Sequence, residues 1–175
     1  KSFLQQNPEF FINVNVSAKQ LERPDFCRVV LELLDKTEFP VRHLCLEITE
    51  RCRSLPVSVI NERMAVLRGY GIKFAMDDFG TGSSSSAMAL EMLIDEIKID
   101  MSFIRKILVN KKNKAIVQSM VDFANAANIK SCLEGVENKA LEDYLRTVGA
   151  TWFQGYYYSK PVGADELEIL LSAKK

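Results

Sequence analysis

The sequence has one histidine and no cysteine pair at metal-binding spacing. His43 opens a predicted strand, and the cysteines at positions 27, 45, 52 and 132 form no CxxC motif. Because structural zinc sites need clustered cysteine and histidine ligands, the sequence excludes a zinc-binding module. We expect reduced, partly buried thiols of the kind found in cytoplasmic proteins, and a structural role for His43.

The sequence also lacks an excess charge of either sign and a long apolar run. Lys+Arg and Asp+Glu both number 23, so the formal net charge is zero, whereas a protein that binds duplex nucleic acid would carry a basic stripe. No run approaches the roughly 20 apolar residues that span a bilayer. We expect a cytoplasmic domain whose partners are neither duplex nucleic acid nor membrane, although a longer parent protein could be anchored through other regions.

A glycine-rich phosphate turn is missing as well, since Gly80-Thr81-Gly82 has neither the Walker lysine nor a third glycine. What the sequence does contain is an alternation of apolar, β-prone runs and helical periodicities. The predicted strands are 10–16, 43–48, 72–76, 96–99, 129–133 and 152–158, and the predicted helices are 25–36, 57–70, 112–128, 139–147 and 164–173. Ser17 with Gln20 forms a capping-box pattern that predicts a further short turn of helix. This order predicts an α/β fold with a mostly parallel sheet. Without the phosphate turn of an open doubly wound sheet, a TIM-like (β/α) barrel is favoured, incomplete, with about six of the usual eight strands.

Each predicted strand leads into side chains that carry a charge or a ligand oxygen. In chain order they are Asn15, Glu47, Glu50, Asp77, Asp78, Lys98, Asp100, Glu134, Glu137 and Gln154. The carboxyl ends of parallel barrel strands open on one face, where active sites lie, so we expect these side chains to meet there. At any one position the alternative is a solvated residue that begins a loop.

The residue types on this predicted rim indicate a metal. Carboxylate and amide oxygens favour Mg²⁺, Mn²⁺ or Ca²⁺ over zinc. Crowded carboxylates would repel an anionic substrate unless bound cations reversed the local field. Two cations can activate a water and hold the oxygens of an in-line phosphoryl displacement, with Lys98 orienting the water or stabilising charge. The sequence therefore predicts metal-assisted phosphodiester hydrolysis and leaves the substrate open.

Six short segments follow one another in a recognisable order. They are Val14-Asn15-Val16-Ser17, Leu46-Glu47-Ile48-Thr49-Glu50, Asp77-Asp78-Phe79-Gly80-Thr81-Gly82, Lys98-Ile99-Asp100, Glu134-Gly135-Val136-Glu137 and Gln154-Gly155. In this order they resemble the signature segments of the EAL-domain cyclic-di-GMP phosphodiesterases. The double-aspartate loop and the Glu-Gly-Val-Glu segment are specific motifs. The resemblance covers essentially all 175 residues, so we expect one partial EAL domain over residues 1–175.

The resemblance implies a modified TIM barrel that linearises cyclic-di-GMP (c-di-GMP) to pGpG in bacterial second-messenger signalling, with Mg²⁺ or Mn²⁺ in a two-metal site. It implies that Asn15, Glu47, Asp77 and Glu134 are metal ligands and that Asp78 binds the second metal. Lys98 would position and activate the catalytic water, and Gln154 would contact that water or the metal shell. Glu50 would anchor the loop after Asp78, and Asp100 and Glu137 would support or contact substrate. The catalytic group is then Lys98 with Glu134, Asp77 and Asp78. A homodimer and an upstream sensory or diguanylate cyclase module in the parent protein are further expectations.

The chain departs from the family pattern in three places. The Glu-Ala-Leu segment that names the family is absent, with its metal-ligating glutamate, so we expect very weak turnover from these 175 residues alone. Ser83 stands where the family usually has tyrosine and is expected to loosen the loop after Asp78. Leu133 replaces a small residue and is expected to crowd the floor of the site.

Three functions are compatible with the sequence. The first is a competent phosphodiesterase, the second a degenerate EAL domain that binds c-di-GMP or a protein partner as a sensor, and the third an unrelated α/β scaffold with a solvated acidic rim. Retention of most signature side chains favours the first. The aromatic residues between positions 152 and 158 could stack on bases, but strand alternation predicts that they pack the barrel interior and the outer helices.

Overall fold

The computed structural model describes residues 3–4, 7–49, 55–82 and 85–173. Within these residues, six strands form one sheet in which each strand pairs in parallel with the next along the chain. The strands are β1 (Ile12–Val16), β2 (Leu44–Thr49), β3 (Lys73–Phe79), β4 (Glu96–Ile99), β5 (Lys130–Glu134) and β6 (Trp152–Gln154). The helices are α1 (Ala18–Glu22), α2 (Phe26–Thr37), α3 (Val57–Gly69), α4 (Ser85–Glu91), α5 (Met101–Ile104), α6 (Lys111–Ala126), α7 (Lys139–Arg146) and α8 (Ala164–Ala173).

Polar side chains determine where several helices begin. The Ser17 side chain accepts a hydrogen bond from the Gln20 backbone N–H, and the Gln20 side chain reaches back to the Ser17 backbone, which completes a capping box on α1. The Asn110 side chain caps α6 and the Asn138 side chain caps α7, each by accepting hydrogen bonds from backbone N–H groups of the first turn. These bonds satisfy amides that a helix start leaves unpaired.

Alternation along the strands separates an apolar face from a polar one. Leu46, Phe74 and Ile97 are buried in the hydrophobic core that joins the sheet to its covering helices. The residues that follow Leu46 and Ile97 are Glu47 and Lys98, whose side chains lie on the opposite, inner face and contact each other. Since successive strand residues point to opposite faces, the apolar positions hold the sheet to the helices while the inner face is left for polar groups.

The sheet curls so that its two outermost strands approach each other at one end. Phe11, immediately before β1, lies with its ring centroid 5.0 Å from that of Trp152 at the start of β6. The Lys73 ammonium, at the start of β3, stands 5.4 Å over the same Phe11 ring. These contacts lie at the amino ends of the strands, opposite the rim where the strands end, and they show a curved half-barrel instead of an open sheet. The predicted α/β class and the six parallel strands are confirmed.

The predicted last strand was wrong in length, since β6 ends at Gln154 and not at position 158. A Cβ atom on Gly155 would overlap the backbone of Val136, so the chain passes tightly there. It then turns, with the Tyr157 N–H donating to the Val136 carbonyl at 3.0 Å. The tyrosines at 156, 157 and 158 are exposed in consequence, so the expectation that the whole aromatic cluster is packed fails for them.

The concern that Leu133 would crowd the site floor was also wrong. Leu133 is fully buried in the core on the helix-facing side, because its neighbour Glu134 takes the inner face. Helices α4 and α5 were not predicted from the sequence, since both are too short to show a helical periodicity.

The described cysteines form no disulfide, and the histidine lies away from the rim. Cys27, Cys45 and Cys132 are free, and Cys52 lies outside the described residues, as does Ser83. His43 is buried away from the rim, where one ring nitrogen contacts the Phe10 carbonyl oxygen and the other accepts from the Arg42 guanidinium at 3.1 Å. No helix among the described residues is both long enough and apolar enough to cross a bilayer.

Candidate active site at the carboxyl ends of the strands

A buried lysine lies at the centre of the rim where the strands end. The Lys98 Nζ atom is 2.8 Å from Glu47 Oε1, 2.8 Å from Glu134 Oε1 and 3.5 Å from Asp77 Oδ1. The four side chains come from four neighbouring strands, β2 to β5. The structure therefore brings together four of the residues that the sequence proposed for one site.

The contact between Glu47 and Lys98 depends on the curvature of the sheet. Their strands, β2 and β4, are separated by β3, and in a flat sheet two strand spacings amount to about 9.5 Å. The inner face of a curled sheet shortens that distance, and the long lysine side chain spans the remainder. Curvature thus lets carboxylates from both sides reach one ammonium group.

The charges of this cluster do not balance. Burial lowers the pKa of Lys98, but its hydrogen bonds to Glu134 and Glu47 outweigh burial and hold that pKa above its usual value. A simple ion pair would lower the pKa of Glu134, yet that pKa is raised, first by burial and further by Asp77 and Glu47, against the opposing effect of Lys98. Three carboxylates around one ammonium leave two negative charges in excess, so the site favours additional positive charge.

A bulge follows Asp77 in β3. The pairing of β3 with β4 shifts register between Met76 and Phe79, and Asp78 within this stretch adopts a left-handed backbone conformation with φ of 56°. The Thr81 N–H and hydroxyl both donate to the Asp78 carbonyl, at 3.2 and 3.0 Å, and close the turn. Bulges and strained non-glycine residues occur often beside active sites, where they direct side chains that regular alternation would place elsewhere.

Two predicted site amides, the metal ligand Asn15 and the supporting residue Gln154, lie on strands at either side of the lysine cluster. Asn15 pairs in register with Glu47 across β1 and β2, and Gln154 pairs with Glu134 across β5 and β6. Both amides are exposed. Strand register thus puts one amide next to each of the two glutamates that bind Lys98.

The remaining predicted residues are less closely associated with the cluster. Asp100 caps α5, where its Oδ1 accepts from the Ser102 N–H at 2.9 Å. Glu137 is exposed and forms no ion pair with the described residues. Glu50 lies outside the residues that the structure describes.

Two polar residues of the inner face were not predicted as site residues from the sequence. Asn13 donates from Nδ2 to Glu47 Oε1 at 2.6 Å, and Glu96 is a buried carboxyl whose pKa burial raises to about 7. Each stands two positions before a residue of the predicted rim, Asn15 or Lys98, and therefore on the same face of its strand. That spacing was the available signal, because a polar residue at i−2 of a site residue lies beneath the site.

The donor set fits a hard divalent cation. Within the described ranges, no three acidic, histidine or cysteine side chains surround a common cation position, since the Lys98 ammonium lies between the carboxylates. Each carboxylate contacts Lys98 through one oxygen, and no described residue donates a hydrogen bond to the other oxygen of Glu47, Asp77 or Glu134. Carboxylate and amide oxygens with two uncompensated charges are the chemistry that Mg²⁺ and Mn²⁺ bind.

Comparison with curated proteins identifies relatives that share most of this sequence. The family model described as EAL domain matches residues 1–161. The chain is 36% identical over 170 residues to the probable cyclic di-GMP phosphodiesterase PdeG of Escherichia coli, covering 95% of this chain and 33% of that protein. It is 32% identical over 161 residues to the cyclic di-GMP phosphodiesterase PdeA of Borreliella burgdorferi, covering 92% and 24%. The chain thus spans a quarter to a third of the length of these relatives.

Solved structures agree with the fold. The EAL domain of Mycobacterium smegmatis DcpA has a TM-score of 0.92 at 28% identity, over 99% of this chain and 79% of that one. BlrP1 of Klebsiella pneumoniae, solved as a complex with calcium and cyclic di-GMP, has a TM-score of 0.79 at 27% identity, over 91% and 41%. These likenesses confirm the predicted incomplete TIM-like barrel. By its family-model match and its relatives, the chain belongs to the EAL domain family.

Proposed function

We propose that residues 1–175 form part of an EAL domain that hydrolyses c-di-GMP to linear pGpG with Mg²⁺ or Mn²⁺. The observation that carries this proposal is the set of three carboxylates, from β2, β3 and β5, gathered around Lys98 at the rim. The relatives named as cyclic di-GMP phosphodiesterases supply the substrate class. The BlrP1 complex, which contains calcium and the dinucleotide together, supports a divalent cation at such a site.

The rim residues divide into cation ligands and a positioning cation. We assign Glu47, Asp77, Glu134 and Asn15 to hold a divalent ion, and Asp78 to a second one. When bound, such an ion lowers the pKa of a coordinated water and offsets negative charge on phosphate oxygens.

The role of Lys98 follows from its contacts. Its hydrogen bonds to two glutamates keep it protonated, so it donates hydrogen bonds and does not accept the proton of the attacking water. We assign it to orient an oxygen of the water or of the phosphate, and to stabilise charge that builds on the phosphoryl group. The water oxygen bonds to phosphorus, the bond from phosphorus to the 3′ oxygen breaks, and the water's proton ends on that leaving 3′ hydroxyl.

Hydrolysis is tested with the intact protein, purified and freed of metal. It is incubated with c-di-GMP and Mg²⁺, Mn²⁺ or Ca²⁺, and the nucleotides are separated by chromatography. We expect pGpG with Mg²⁺ or Mn²⁺ and none with chelator. Lys98→Met should abolish turnover, and Asp77→Ala and Glu134→Ala should do so by removing cation ligands.

The matched control is Lys73→Met, since Lys73 starts β3 at the opposite end of the half-barrel and contacts Phe11. It should leave turnover unchanged. If the unsubstituted protein binds c-di-GMP but releases no pGpG with any of the three metals, the sensor function replaces the enzyme. If Lys98→Met retains full turnover, the role assigned to Lys98 is wrong.

The wider setting is proposed on the same basis. We propose a cytoplasmic location for the site, because the proposed substrate is a second messenger. We propose a homodimer as the working form, in which α6, whose Met120 side chain packs against Gly80 in the loop after Asp78, would connect the dimer contact to the site. The partly exposed Ile116 of the same helix is available for a second copy. A regulatory sensory or cyclase module elsewhere in the parent protein is consistent with the small share of its relatives that this chain spans.

A further inference from the structure

Asn13 lies directly beneath the proposed ligand set. It belongs to β1, two residues before Asn15, and so it points to the same inner face. Its register partner is Cys45, two residues before Glu47. Asn13 is therefore one layer deeper in the half-barrel than the rim, at the level of the side chains that support it.

The Asn13 amide contacts Glu47 alone among the described side chains of the rim. Its Nδ2 donates to Glu47 Oε1 at 2.6 Å, and the same oxygen receives Lys98 Nζ at 2.8 Å. Two donors on one oxygen fix the rotation of the carboxylate. The second oxygen, Oε2, receives no hydrogen bond from a described residue and is the one presented for a cation.

The other end of the Asn13 amide is unsatisfied. Its Oδ1 is buried and has no hydrogen-bond partner among the described residues. The opposite amide orientation would set Oδ1 against the Glu47 carboxylate, acceptor against acceptor, so the donor contact determines which way the amide points. A buried acceptor without a partner is costly and uncommon, and a residue that leaves one calls for a reason other than stability.

We propose that Asn13 is a positioning residue that orients Glu47 for cation binding, an inference that rests on the proposed metal-dependent function. The amide holds one carboxylate oxygen against Lys98 and thereby aims the other at the ion. Hydrogen bonds to metal ligands from outside the coordination sphere commonly account for 10- to 100-fold in affinity. Because the buried Oδ1 has no partner among the described residues, Asn13 should add little to the stability of the fold. Its contribution should therefore appear in the affinity for the ion.

The test compares Mn²⁺ binding, measured by electron paramagnetic resonance without nucleotide, in the intact protein and in Asn13→Ala. We expect affinity for Mn²⁺ to fall about 10- to 100-fold. The thermal midpoint in chelator should change little, because the substitution removes a hydrogen bond and an unsatisfied acceptor together. With c-di-GMP, the Mn²⁺ concentration for half-maximal rate should rise by a similar factor, while KM for c-di-GMP at saturating Mn²⁺ stays unchanged.

Two further variants separate positioning from general damage. In the Glu47→Ala background, Asn13→Ala should cause no additional loss of Mn²⁺ affinity, since its partner is gone. Val14→Ala changes the adjacent β1 residue, which points to the other face, and should leave Mn²⁺ affinity unchanged whatever it does to the thermal midpoint. If Asn13→Ala lowers Mn²⁺ affinity in the Glu47→Ala background as much as it does in the unsubstituted protein, Asn13 acts independently of Glu47 and the inference is overturned.

The outcomes also distinguish this inference from the proposed function. If the unsubstituted protein hydrolyses c-di-GMP and Asn13→Ala binds Mn²⁺ equally well, only the Asn13 inference fails. If the unsubstituted protein binds Mn²⁺ without hydrolysis, the variants still decide the role of Asn13 in binding. If it neither binds Mn²⁺ nor hydrolyses the dinucleotide, the proposed function fails, and the role of Asn13 fails with it.

Discussion

Replacement of Glu96 by glutamine should stabilise the protein at neutral and alkaline pH. Glu96 is 3% exposed on the inner face of β4, and no described residue forms a hydrogen bond or ion pair with it. Burial raises its pKa from 4.5 to about 7, with Lys98 opposing and Glu47 and Glu134 adding to the rise. At 1.36 kcal/mol per pKa unit, ionising this group in the folded state costs about 3 kcal/mol.

The sign follows from proton binding in the two states. Between pH 4.5 and about 7 the folded protein holds the Glu96 proton and the unfolded chain has lost it, so the free energy of unfolding falls as pH rises through this window. Glutamine has nearly the shape of glutamate and carries no charge, so the free energy of unfolding of Glu96→Gln does not fall in this way as pH rises. We expect the variant and the unsubstituted protein to differ little at pH 4 and by about 3 kcal/mol above pH 7, in favour of the variant.

The assay is urea denaturation of the 175-residue chain at half-unit pH steps. Unfolding is monitored by the fluorescence of Trp152, the only tryptophan of the chain. Glu142→Gln is a control of opposite sign. Arg146 donates to Glu142 at 2.6 Å and lowers the pKa of that carboxyl, so its contribution is present at neutral pH and lost on acidification. A difference between Glu96→Gln and the unsubstituted chain that is independent of pH would refute the assignment of a protonated, buried Glu96.

Two other changes test the packing and the charge of the site. Lys98→Met leaves three carboxylates without their ammonium, so in chelator it should lower the free energy of unfolding by about 3–5 kcal/mol. Mn²⁺ should then raise the thermal midpoint more in the variant than in the unsubstituted protein. An equal rise in both proteins would contradict the charge argument. Gly155→Ala places a Cβ into the Val136 backbone and should cost about 1–3 kcal/mol in urea denaturation. Gly163→Ala, with no atom within 4 Å of the added Cβ, is the control and should have almost no effect.

The sequence determined the order of the elements and indicated the kind of chemistry that we propose for the site. Apolar runs and helical periodicities are local properties, so β4 and α8 were predicted with the bounds that the structure shows, and other ends were off by a few residues. Hard oxygen ligands after successive strands indicated a metal and a phosphodiester before any distance was known. The order of six short motifs identified the family, because the motifs are specific in combination.

Contacts between distant segments were decided by the tertiary structure. The end of β6 depends on the backbone of Val136, about 20 residues earlier in the chain, which no local pattern around Gly155 contains. The meeting of Glu47 with Lys98 depends on sheet curvature, and the pKa of Glu96 depends on burial by the whole inner face. In the sequence Asn13 is an ordinary polar strand residue, and only the structure shows that its amide donates a hydrogen bond to Glu47. Residue types determine what a site can do, whereas distances across the sheet determine which of those residues form it.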